Sequence, residues 1–566
     1  MHQQGTTFRL GVCCLVFSAT VVCGSTLAPY AAAQQTGSSN LEASTRQEPS
    51  SDDIDSFYHP ERIQVIHLQV SASNLDKMKS ALPERIYVPA TFRWGDQTIE
   101  NVGVRYKGNS SSNPNQRHKR SFLIKFSEYE KGRSFLGLER VALDNGVQFG
   151  SLFCEQLITG IFHELKIPAS RCNFAKLYLN GEYHGVYTNV ERIDSVFVKT
   201  HFGDGKGPLY KNNAGGAGAS LDLVQPGRHP NGGPALAFEP KSKTARDDAR
   251  DVLELISRIN QTANADFAKV MEETIDVEAF LQTMAVMLFS GAFDQLTGVG
   301  PHNYYLYHDP QSGRWHYLPW DLDVGFSDNA FGRIPVISGW NAAWPVVGDR
   351  PSPLVLRILD NPQLLARYRR IADSILETHF HPQVLLPRID VLYERIKDDL
   401  ASDPFPHVRV TNPDDKNYET VVASIKAFVL HRYETARAQL DHPGSRQMVA
   451  QNTPQRGHQQ GPRPGNPSAD APSELRIVSS TRSSVTLQWT NNSKGEAGHV
   501  VQRAEGENGQ EFHNVAGFPG DNVTMGTDKH VVPGKVFRYR VFGVHHEPTG
   551  QRGTGVSNVV TIRIPQ

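Results

Sequence analysis

Hydrophobic and polar residues alternate along most of the chain between residues 61 and about 212. The alternation runs through RIQVIHLQV, RIYVPATFRW, VGVRYKG, SFLIKF and GPLYKNN, and the longer segment FAKLYLNGEYHGVYTNVERI contains the turn pair Asn180-Gly181. A period of two residues indicates strands, and Asn-Gly between two apolar runs is typical of a tight hairpin. This region is therefore predicted to be mostly strand, interrupted by one helix near residues 150 to 165.

The pattern changes to a helical period after residue 212. The segment VEAFLQTMAVMLFSG is apolar on every side, as expected of a buried core helix, whereas ARDVLELISRIN places its apolar residues on one face: Val252, Leu255, Ile256 and Ile259. Further helices are predicted over residues 353 to 379, 384 to 400 and 417 to 441. A strand-rich half followed by a helix-rich half predicts an α+β body with two lobes.

The C-terminal region differs from both halves of the large body in composition and in its pattern of hydrophobic and polar residues. Residues 443–472 are dense in Pro, Gly and Gln, which is typical of a linker. Beyond them, residues 473–566 contain the alternating segments SVTLQWT, HVVQRA, VFRYRVFGV and SNVVTIRI, separated by turn residues. This pattern predicts an all-β sandwich of single-domain size.

The N-terminus has the features of an export signal. Arg9 precedes the apolar run LGVCCLVFSATVVCG, and small residues suited to cleavage follow near Ala33. Residues 1–33 are therefore predicted to be a signal peptide and the polar residues 34–57 a disordered leader, so that the large body spans residues 58–442. No later run approaches the roughly 20 apolar residues of a membrane span. The expected location is secreted, either periplasmic or extracellular.

Charge and cysteine content narrow the possible partners. With 58 basic and 59 acidic residues the formal net charge is -1, so no overall field attracts nucleic acid or an anionic membrane. Of the 5 cysteines, three lie in the predicted signal. The other two, Cys154 and Cys172, would enter an oxidising compartment, where they form either one structural disulfide or two buried thiols.

Two carboxylates stand in the apolar segment YLPWDLDVGF at residues 317–326. We expect this segment to be the second strand of a hairpin, in which case Asp321 and Asp323 share one face. Two carboxylates together beside a core require a cation, and oxygen ligands favour Mg²⁺, Mn²⁺ or Ca²⁺. A structural Ca²⁺ site, or an aspartate that caps the next turn, accounts for the pattern equally well.

The segment RYKGNSSSNPNQRHKRSFLIKF combines a serine-rich loop with basic residues on the strand that follows it. Ser110 and Ser111 supply donors, and Lys119 and Lys125 supply positive charge, so this segment can hold phosphates or can be a solvated polar loop. Glu191 follows an apolar strand and needs a cationic partner. That partner is either a lysine of the preceding segment or Arg192 at the surface.

Two polar residues follow the apolar helix, in SGAFDQLTGVGPHNYYLY. A rigid helix that delivers Asp294 to a glycine-rich loop is one way to position a general base. Asn303 lies just before the next strand. The alternative is that Asp294 ends the helix and Asn303 satisfies loop backbone groups.

In order and spacing, these blocks resemble the CotH kinase family, the spore coat protein H group of secreted atypical protein kinases. The resemblance covers residues 62 to about 440 and rests on RYKGNSS, KRSFLIKF, LYLNGEYHGVYTNVERID, LYKNN, HNYYLY and YLPWDLDVGF. It implies a degenerate, two-lobed kinase-like fold that binds ATP and Mg²⁺ or Mn²⁺ between its lobes. The tail resembles a fibronectin type III domain, with Phe537 where that family usually has the tyrosine-corner residue.

The resemblance also implies roles for individual residues. Asp294 matches the catalytic aspartate that accepts the proton of the substrate hydroxyl. Asn303 and Asp321 match metal-binding residues, with Asp323 as a second ligand, while Lys119 or Lys125 would neutralise phosphate charge and Glu191 would orient that lysine. The separation of Asp294 and Asn303 is longer than in ordinary kinases, and no D-F-G motif occurs.

The sequence therefore predicts a secreted kinase that transfers the ATP γ-phosphoryl group to Ser or Thr of an exported, Ser-rich protein. The alternative is an inactive exported binding or structural protein, for adhesion or a coat, on a kinase-like scaffold. In either case the C-terminal sandwich would bind a protein or a carbohydrate. Hydrolysis of polysaccharide is disfavoured, because neighbouring carboxylates on one strand do not flank a glycosidic bond.

Overall fold

A computed structural model describes residues 54–566 with gaps at 109–111, 117–118, 147–151, 204, 213–215, 225–235, 331–333, 338, 348–350, 406–414, 445–463, 465–467, 521–522, 529–530 and 548–549. The predicted signal peptide and most of the predicted leader and linker lie outside the described residues.

The strand-rich half forms a closed barrel in the order β1-β2-β3-β4-β5-β7-β6. All neighbouring strands are antiparallel except β1 and β6, which are parallel. The strands are β1 (Ile63–Gln69), β2 (Val88–Trp94), β3 (Gln97–Lys107), β4 (Ser121–Lys125), β5 (Arg140–Asp144), β6 (Cys172–Leu179) and β7 (Glu182–Val190). Aromatic side chains fill the barrel, among them Phe92, Phe126 and Phe135, whose rings pack edge to face or tilted.

Most of the sequence prediction for this half is confirmed. Asn180 and Gly181 both have positive φ, at 55° and 90°, as the predicted hairpin turn between β6 and β7 requires. The predicted helix is present as α3 (Cys154–Glu164). The structure also contains β5 and three short helices that the sequence pattern does not predict, because they have too few residues for a clear period: α1 (Ile54–Phe57), α2 (Ala72–Ser80) and α4 (Ser195–Phe202).

A second sheet, in the order β11-β10-β8-β9, joins the barrel region to the helices. Its strands are β8 (Leu209–Asn212), β9 (Phe238–Pro240), β10 (Tyr304–His308) and β11 (Trp315–Pro319). Alternate residues of β10 enter different cores, because side chains alternate across a strand. Tyr304 and Leu306 belong to the helical core, whereas Tyr305 and Tyr307 pack with Trp320 and with residues that follow β7.

The helical half surrounds α7 (Val277–Ser290), whose residues are buried on nearly all sides as predicted. Asp276 caps this helix by accepting a hydrogen bond from the Ala279 N–H, and Gly291 ends it in the left-handed conformation. The other helices are α5 (Arg250–Gln261), α6 (Phe267–Thr274), α8 (Pro353–Asp360), α9 (Pro362–Thr378), α10 (Pro382–Ala401) and α11 (Tyr418–Asp441). Two short strands, β12 (Asn329–Ala330) and β13 (Ile334–Pro335), pair with each other.

The single helix predicted over residues 353 to 379 is two helices, α8 and α9, broken at Asn361. A residue before proline avoids the helical conformation, and Asn361 has ψ 114° with Pro362 directly after it. The Asn361 side chain then caps α9 by accepting from the Gln363 and Leu364 N–H groups.

The C-terminal region is all-β, as predicted. One sheet has the order β14-β15-β18 and the other β17-β16-β19-β20, with β21 also paired to β19. The strands are β14 (Ser473–Ser480), β15 (Val485–Thr490), β16 (Gly498–Glu505), β17 (His513–Pro519), β18 (Met525–Asp528), β19 (Val536–Glu547), β20 (Gly550–Val556) and β21 (Val560–Arg563). Apolar residues of both sheets share one core, including Leu487, Trp489, Val501 and Tyr539. The fibronectin type III assignment stays a prediction.

Two further expectations can be compared with the structure. Cys154 and Cys172 are buried thiols, so the disulfide alternative is wrong and the buried-thiol alternative holds. Among the described helices, none is long and apolar enough to cross a membrane.

Candidate active site

Four carboxylates from three parts of the fold converge around one lysine. Lys107 ends β3, and its ammonium contacts Asp144 at the end of β5 and lies 3.8 Å from Asp321 Oδ1. Glu155, in the first turn of α3, accepts a hydrogen bond of 3.4 Å from the Leu322 N–H, which places it beside Asp321 and Asp323. This group of residues is called the Lys107 cluster below.

The Lys107 cluster contains more negative than positive charge. Burial, together with the charges of Asp321 and Asp144, raises the pKa of Asp323 well above its ordinary value. Burial likewise raises the pKa of Glu155, and the neighbouring carboxylates raise it further. Asp144 Oδ2 is buried and, among the described residues, has no hydrogen-bond partner. A single lysine does not compensate these groups, so the cluster favours an additional cation.

Asp321 is not on a strand, which corrects the sequence prediction. β11 ends at Pro319, and Asp321 has φ 60°, a left-handed conformation that aspartate tolerates. The bond from the Trp320 N–H to the Asn303 carbonyl, at 2.9 Å, continues the pairing of β10 and β11 by one residue, and the positive φ of Asn303 and Asp321 ends it there. Asp321 and Asp323 nevertheless lie close enough for the charge of Asp321 to raise the pKa of Asp323.

Asp294 lies four residues after α7 and is held by two neighbours. Its Oδ2 accepts a hydrogen bond of 2.9 Å from Asn303 Nδ2 and lies 2.7 Å from His302 Nε2. Burial lowers the pKa of His302, but its hydrogen bond to Asp294 and the charges of Asp294 and Asp321 outweigh burial, and the pKa is raised. Gly300 permits the approach, because a Cβ there would lie 3.0 Å from Asp294 Oδ1. Asp294 is therefore an oriented carboxylate beside a polarised imidazole.

The loop that carries Asp294 is tied to the segment that carries Asp321. Gln295 is fully buried, and its Nε2 donates to the Trp320 carbonyl at 2.9 Å while its Oε1 accepts from the Tyr317 hydroxyl at 3.1 Å. With the bond from the Trp320 N–H to Asn303, three hydrogen bonds connect the two segments. The structure thus brings together Asp294, Asn303, Asp321 and Asp323, as the sequence analysis expected.

The predicted lysines are engaged elsewhere. Lys119 is buried, and its ammonium lies 2.6 Å from Asp403 Oδ2 and 2.5 Å from the Val186 carbonyl. Lys125 pairs with Glu128 at 2.9 Å and is opposite Gly103, four residues from Lys107 along β3. At about 3.3 Å per residue, this offset separates Lys125 from the Lys107 cluster by about 13 Å. Both predicted lysines therefore have other partners, the lysine that lies among the carboxylates is Lys107, and a phosphate-neutralising role for Lys119 or Lys125 stays a prediction.

Glu191 pairs with Arg171, and not with a lysine of the preceding segment or with Arg192 as expected. Glu191 is fully buried and accepts hydrogen bonds from Arg171 at Nε, at 2.9 Å, and at NH2, at 2.5 Å. It also accepts from the Arg171 backbone N–H at 3.1 Å. Glu191 therefore stabilises the start of β6. Ser110 and Ser111 lie outside the described residues.

The donor set fits a magnesium-type ion. Within the described parts of the chain, no three His, Cys, Asp or Glu side chains form a ready-made metal cage. Mg²⁺ in phosphoryl-transfer sites needs no such cage, because one or two carboxylates, water and substrate phosphates complete its shell. Asp321 and Asp323 would supply carboxylates to such an ion, and Asn303, whose Nδ2 donates to Asp294, would supply its Oδ1.

Four residues of the candidate site were not predicted from the sequence: Lys107, Asp144, Glu155 and His302. A signal was available for two of them. Asp144 follows the apolar run VAL much as Asp321 follows YLPW, and Glu155 lies in the predicted helix just before its apolar residues Leu157 and Ile158. The sequence pattern does not distinguish Lys107 as a site residue, because its strand neighbours Arg105 and Tyr106 are polar as well.

The chain is similar to known proteins over the region that contains the candidate site. The family model for CotH kinase protein matches residues 104–436, which contain the whole candidate site. The chain is 25% identical over 344 residues to the inner spore coat protein H of Bacillus subtilis, covering 60% of this chain and 88% of that protein. It is 24% identical over 264 residues to the invasin CotH2 of Rhizopus delemar, covering 44% of this chain and 42% of that protein.

Among solved structures, the chicken CNTN1 FN1-FN3 domains match 19% of this chain and 33% of theirs, at 18% identity. The TM-score of 0.15 is too low to support an argument. The family model, by contrast, spans more than half of the chain and every described residue of the candidate site. This chain therefore belongs to the CotH family.

Proposed function

We propose that this protein is an exported protein kinase that transfers the γ-phosphoryl group of ATP to a Ser or Thr hydroxyl. The observation that supports this most is the position of Asp294, which is oriented by His302 and Asn303 and tied by hydrogen bonds to the segment of Asp321. A base and a set of charge-stabilising groups held in one place are what phosphoryl transfer requires.

Asp294 would accept the proton of the substrate hydroxyl as that oxygen attacks phosphorus. Its Oδ2 is occupied by Asn303 and His302, so Oδ1 is the atom available to the substrate. Lys107 would neutralise charge on the phosphate chain, since its ammonium is held by Asp144 and Asp321 at the site. Asn303, Asp321 and Asp323 would hold Mg²⁺ or Mn²⁺, which supplies positive charge to the phosphate oxygens.

Location and partners belong to the same proposal. The two relatives are named as a spore coat protein and an invasin. With the sequence features of an export signal, these names support a role at or beyond the cell surface. The acceptor would be an exported, Ser-rich protein, and the C-terminal region would contribute a protein or carbohydrate ligand site.

The test is phosphoryl transfer from labelled ATP by the purified protein, to itself and to a Ser-rich acceptor, with Mg²⁺ or Mn²⁺. Asp294→Asn and Asp321→Asn should each lower transfer by about 100-fold or more, because each removes a charge from the reacting centre. Asp96→Asn, at an exposed turn residue, is the matched control and should leave transfer unchanged. Equal transfer by all three variants would refute the site.

A second candidate is an exported coat or adhesion protein without catalysis, favoured by the names of the relatives alone. Nucleotide binding distinguishes the candidates. A kinase should melt at a higher temperature with millimolar ATP and Mg²⁺, because a ligand that binds only the folded state stabilises it. An unchanged melting temperature, together with absent transfer, would favour the second candidate.

A further inference from the structure

Two more cations, Arg192 and Lys211, lie next to the candidate site and have no role in the proposed function so far. Arg192 follows β7, and Lys211 is in β8 directly opposite Tyr305 of β10. In the described parts of the chain, neither side chain has a hydrogen bond or an ion pair. Cations that lie partly inside a protein usually have a counter-ion, so these two call for one.

Aromatic rings bring both cations close to Lys107. The Arg192 guanidinium lies 5.0 Å from the centre of the Trp320 ring, and the Lys107 ammonium lies 5.6 Å from the same ring. The Lys211 ammonium lies 5.9 Å from the centre of the Tyr305 ring, which meets Trp320 edge to face at 6.1 Å. Three cations thus border one pair of buried rings.

The electrostatics of Lys211 reflect this crowding. Burial and the charges of Arg192 and Lys107, against the opposing effect of Asp321, together lower the pKa of Lys211 to about 8. The cross-strand neighbour Glu239 does not compensate, because its carboxylate pairs with Lys241. The Tyr305 hydroxyl is also buried and, among the described residues, has no hydrogen-bond partner. An anion is the ligand that would satisfy these groups.

We propose that Arg192 and Lys211 form a binding pair for the phosphate chain of the nucleotide, beside Lys107 on the Tyr305–Trp320 ring pair. A planar guanidinium binds two phosphate oxygens at once, and an ammonium adds a third contact without a fixed direction. Arg192 and Lys211 both lack a counter-ion among the described residues, so together they match an anion that carries more than one charge, and Lys107, already paired with Asp144, borders the same rings. The identification of the anion with the nucleotide rests on the proposed function.

The experiment measures binding of tripolyphosphate to the full-length protein by calorimetry, without divalent metal. Arg192→Gln and Lys211→Gln should each weaken binding about tenfold, as loss of one charge-assisted contact predicts. Lys211→Arg should retain binding, which separates loss of charge from loss of folding. Lys269→Gln, at an exposed lysine of α6, removes the same charge elsewhere and should have no effect.

A double variant that binds tripolyphosphate as tightly as the parent would overturn the proposal. ATP should displace tripolyphosphate from the parent protein. If inorganic phosphate binds as tightly as tripolyphosphate and ATP does not compete, the pair serves free phosphate and the assignment to the nucleotide is wrong.

The same variants separate this inference from the proposed function. A protein that shows no transfer from ATP but binds tripolyphosphate through Arg192 and Lys211 refutes the kinase and keeps the anion site. A protein that transfers phosphate with unchanged activity and binding in both Gln variants keeps the kinase and refutes the anion site.

Discussion

Two buried lysines of the barrel, Lys119 and Lys107, show how differently one residue type can be used. Lys119 pairs with Asp403, whose carboxylate also accepts from the Val186 N–H at 3.1 Å and the Phe405 N–H at 3.0 Å. Every charge there has its partner. Lys107 instead faces several carboxylates, one of which has a buried oxygen without a described partner.

The difference separates a structural ion pair from a ligand site. A satisfied pair gains nothing from an additional ion, so we infer that Lys119 and Asp403 hold the segment after α10 against β7. An uncompensated cluster of carboxylates gains when a cation arrives, at a cost in stability when the cation is absent. The comparison therefore predicts that mutations of the two clusters have opposite profiles.

The largest effect is expected from Asp403→Ala. This change leaves the Lys119 ammonium buried without its carboxylate, together with two backbone N–H groups, and should lower the free energy of unfolding by about 3–5 kcal/mol. Chemical denaturation measures this loss. Asp399→Ala, which removes a partly exposed pair with Lys176 at the same end of α10, should cost about 1 kcal/mol or less and is the control.

Asp321→Asn should show the reverse profile. Removing one charge from a repulsive cluster should change the free energy of unfolding by less than about 1 kcal/mol in either direction, while transfer falls about 100-fold or more. Denaturation and labelled-ATP transfer on the same preparation provide both values. If Asp321→Asn instead lost stability as Asp403→Ala does, the two clusters would be of one kind and the comparison would fail.

A smaller effect is expected from pH, through Lys211. Its pKa of about 8 lies below that of a free lysine, so the ammonium loses its proton as the pH rises above 8 and its attraction for phosphate declines. Arg192, Lys107, Lys241 and Asp321 are the charged groups that set this value. Between pH 7.5 and 9.5, tripolyphosphate binding should weaken by up to about tenfold more in the parent than in Lys211→Arg, because arginine stays charged.

Tripolyphosphate itself also changes its charge over this pH range. Comparison of the parent with Lys211→Arg removes this contribution to the pH dependence of binding, because it is the same for both proteins. Parallel pH profiles of the parent and Lys211→Arg would show that Lys211 does not contact the anion.

The smallest effect should come from Lys125→Gln. Lys125 pairs with Glu128 in a partly exposed position away from the Lys107 cluster, so stability should change by about 1 kcal/mol or less and transfer should not change. Lys107→Gln, the matched change in the cluster, should remove most of the transfer. A large loss of transfer in Lys125→Gln would restore the sequence-based choice of lysine.

The outcome for these lysines shows where sequence reasoning succeeds. Alternation and turn chemistry predicted most barrel strands, because the period of two and the Asn180-Gly181 turn are local properties. The helix before Asp294 was equally clear from its apolar composition. The family resemblance, which rests on the order of motifs along the chain, predicted that Asp294, Asn303 and Asp321 lie together. The hydrogen bonds of Gln295 and Trp320 connect the segments that carry these residues.

Pairing between distant residues could not be predicted in the same way. Lys119 and Asp403 are 284 residues apart, and neither segment contains a pattern that predicts their contact. Glu191 was correctly expected to need a cation, but its partner Arg171 is fixed by the register of β6 and β7, which brings the two together across the hairpin. The positive φ of Asn303 and Asp321 ends the pairing of β10 and β11, and the alternation of YLPWDLDVGF does not reveal it.

The three hydrogen bonds that tie the Asp294 loop to the Trp320 segment have a consequence for motion. They join the loop of the proposed base to the segment that leads to Asp321, whereas Lys107 and Asp144 belong to the barrel. A hinge between the two would therefore leave the catalytic geometry intact while it opened the 3.8 Å gap between Lys107 and Asp321. Entry and exit of a nucleotide would then require no rebuilding of the base, only a change in the width of the cleft.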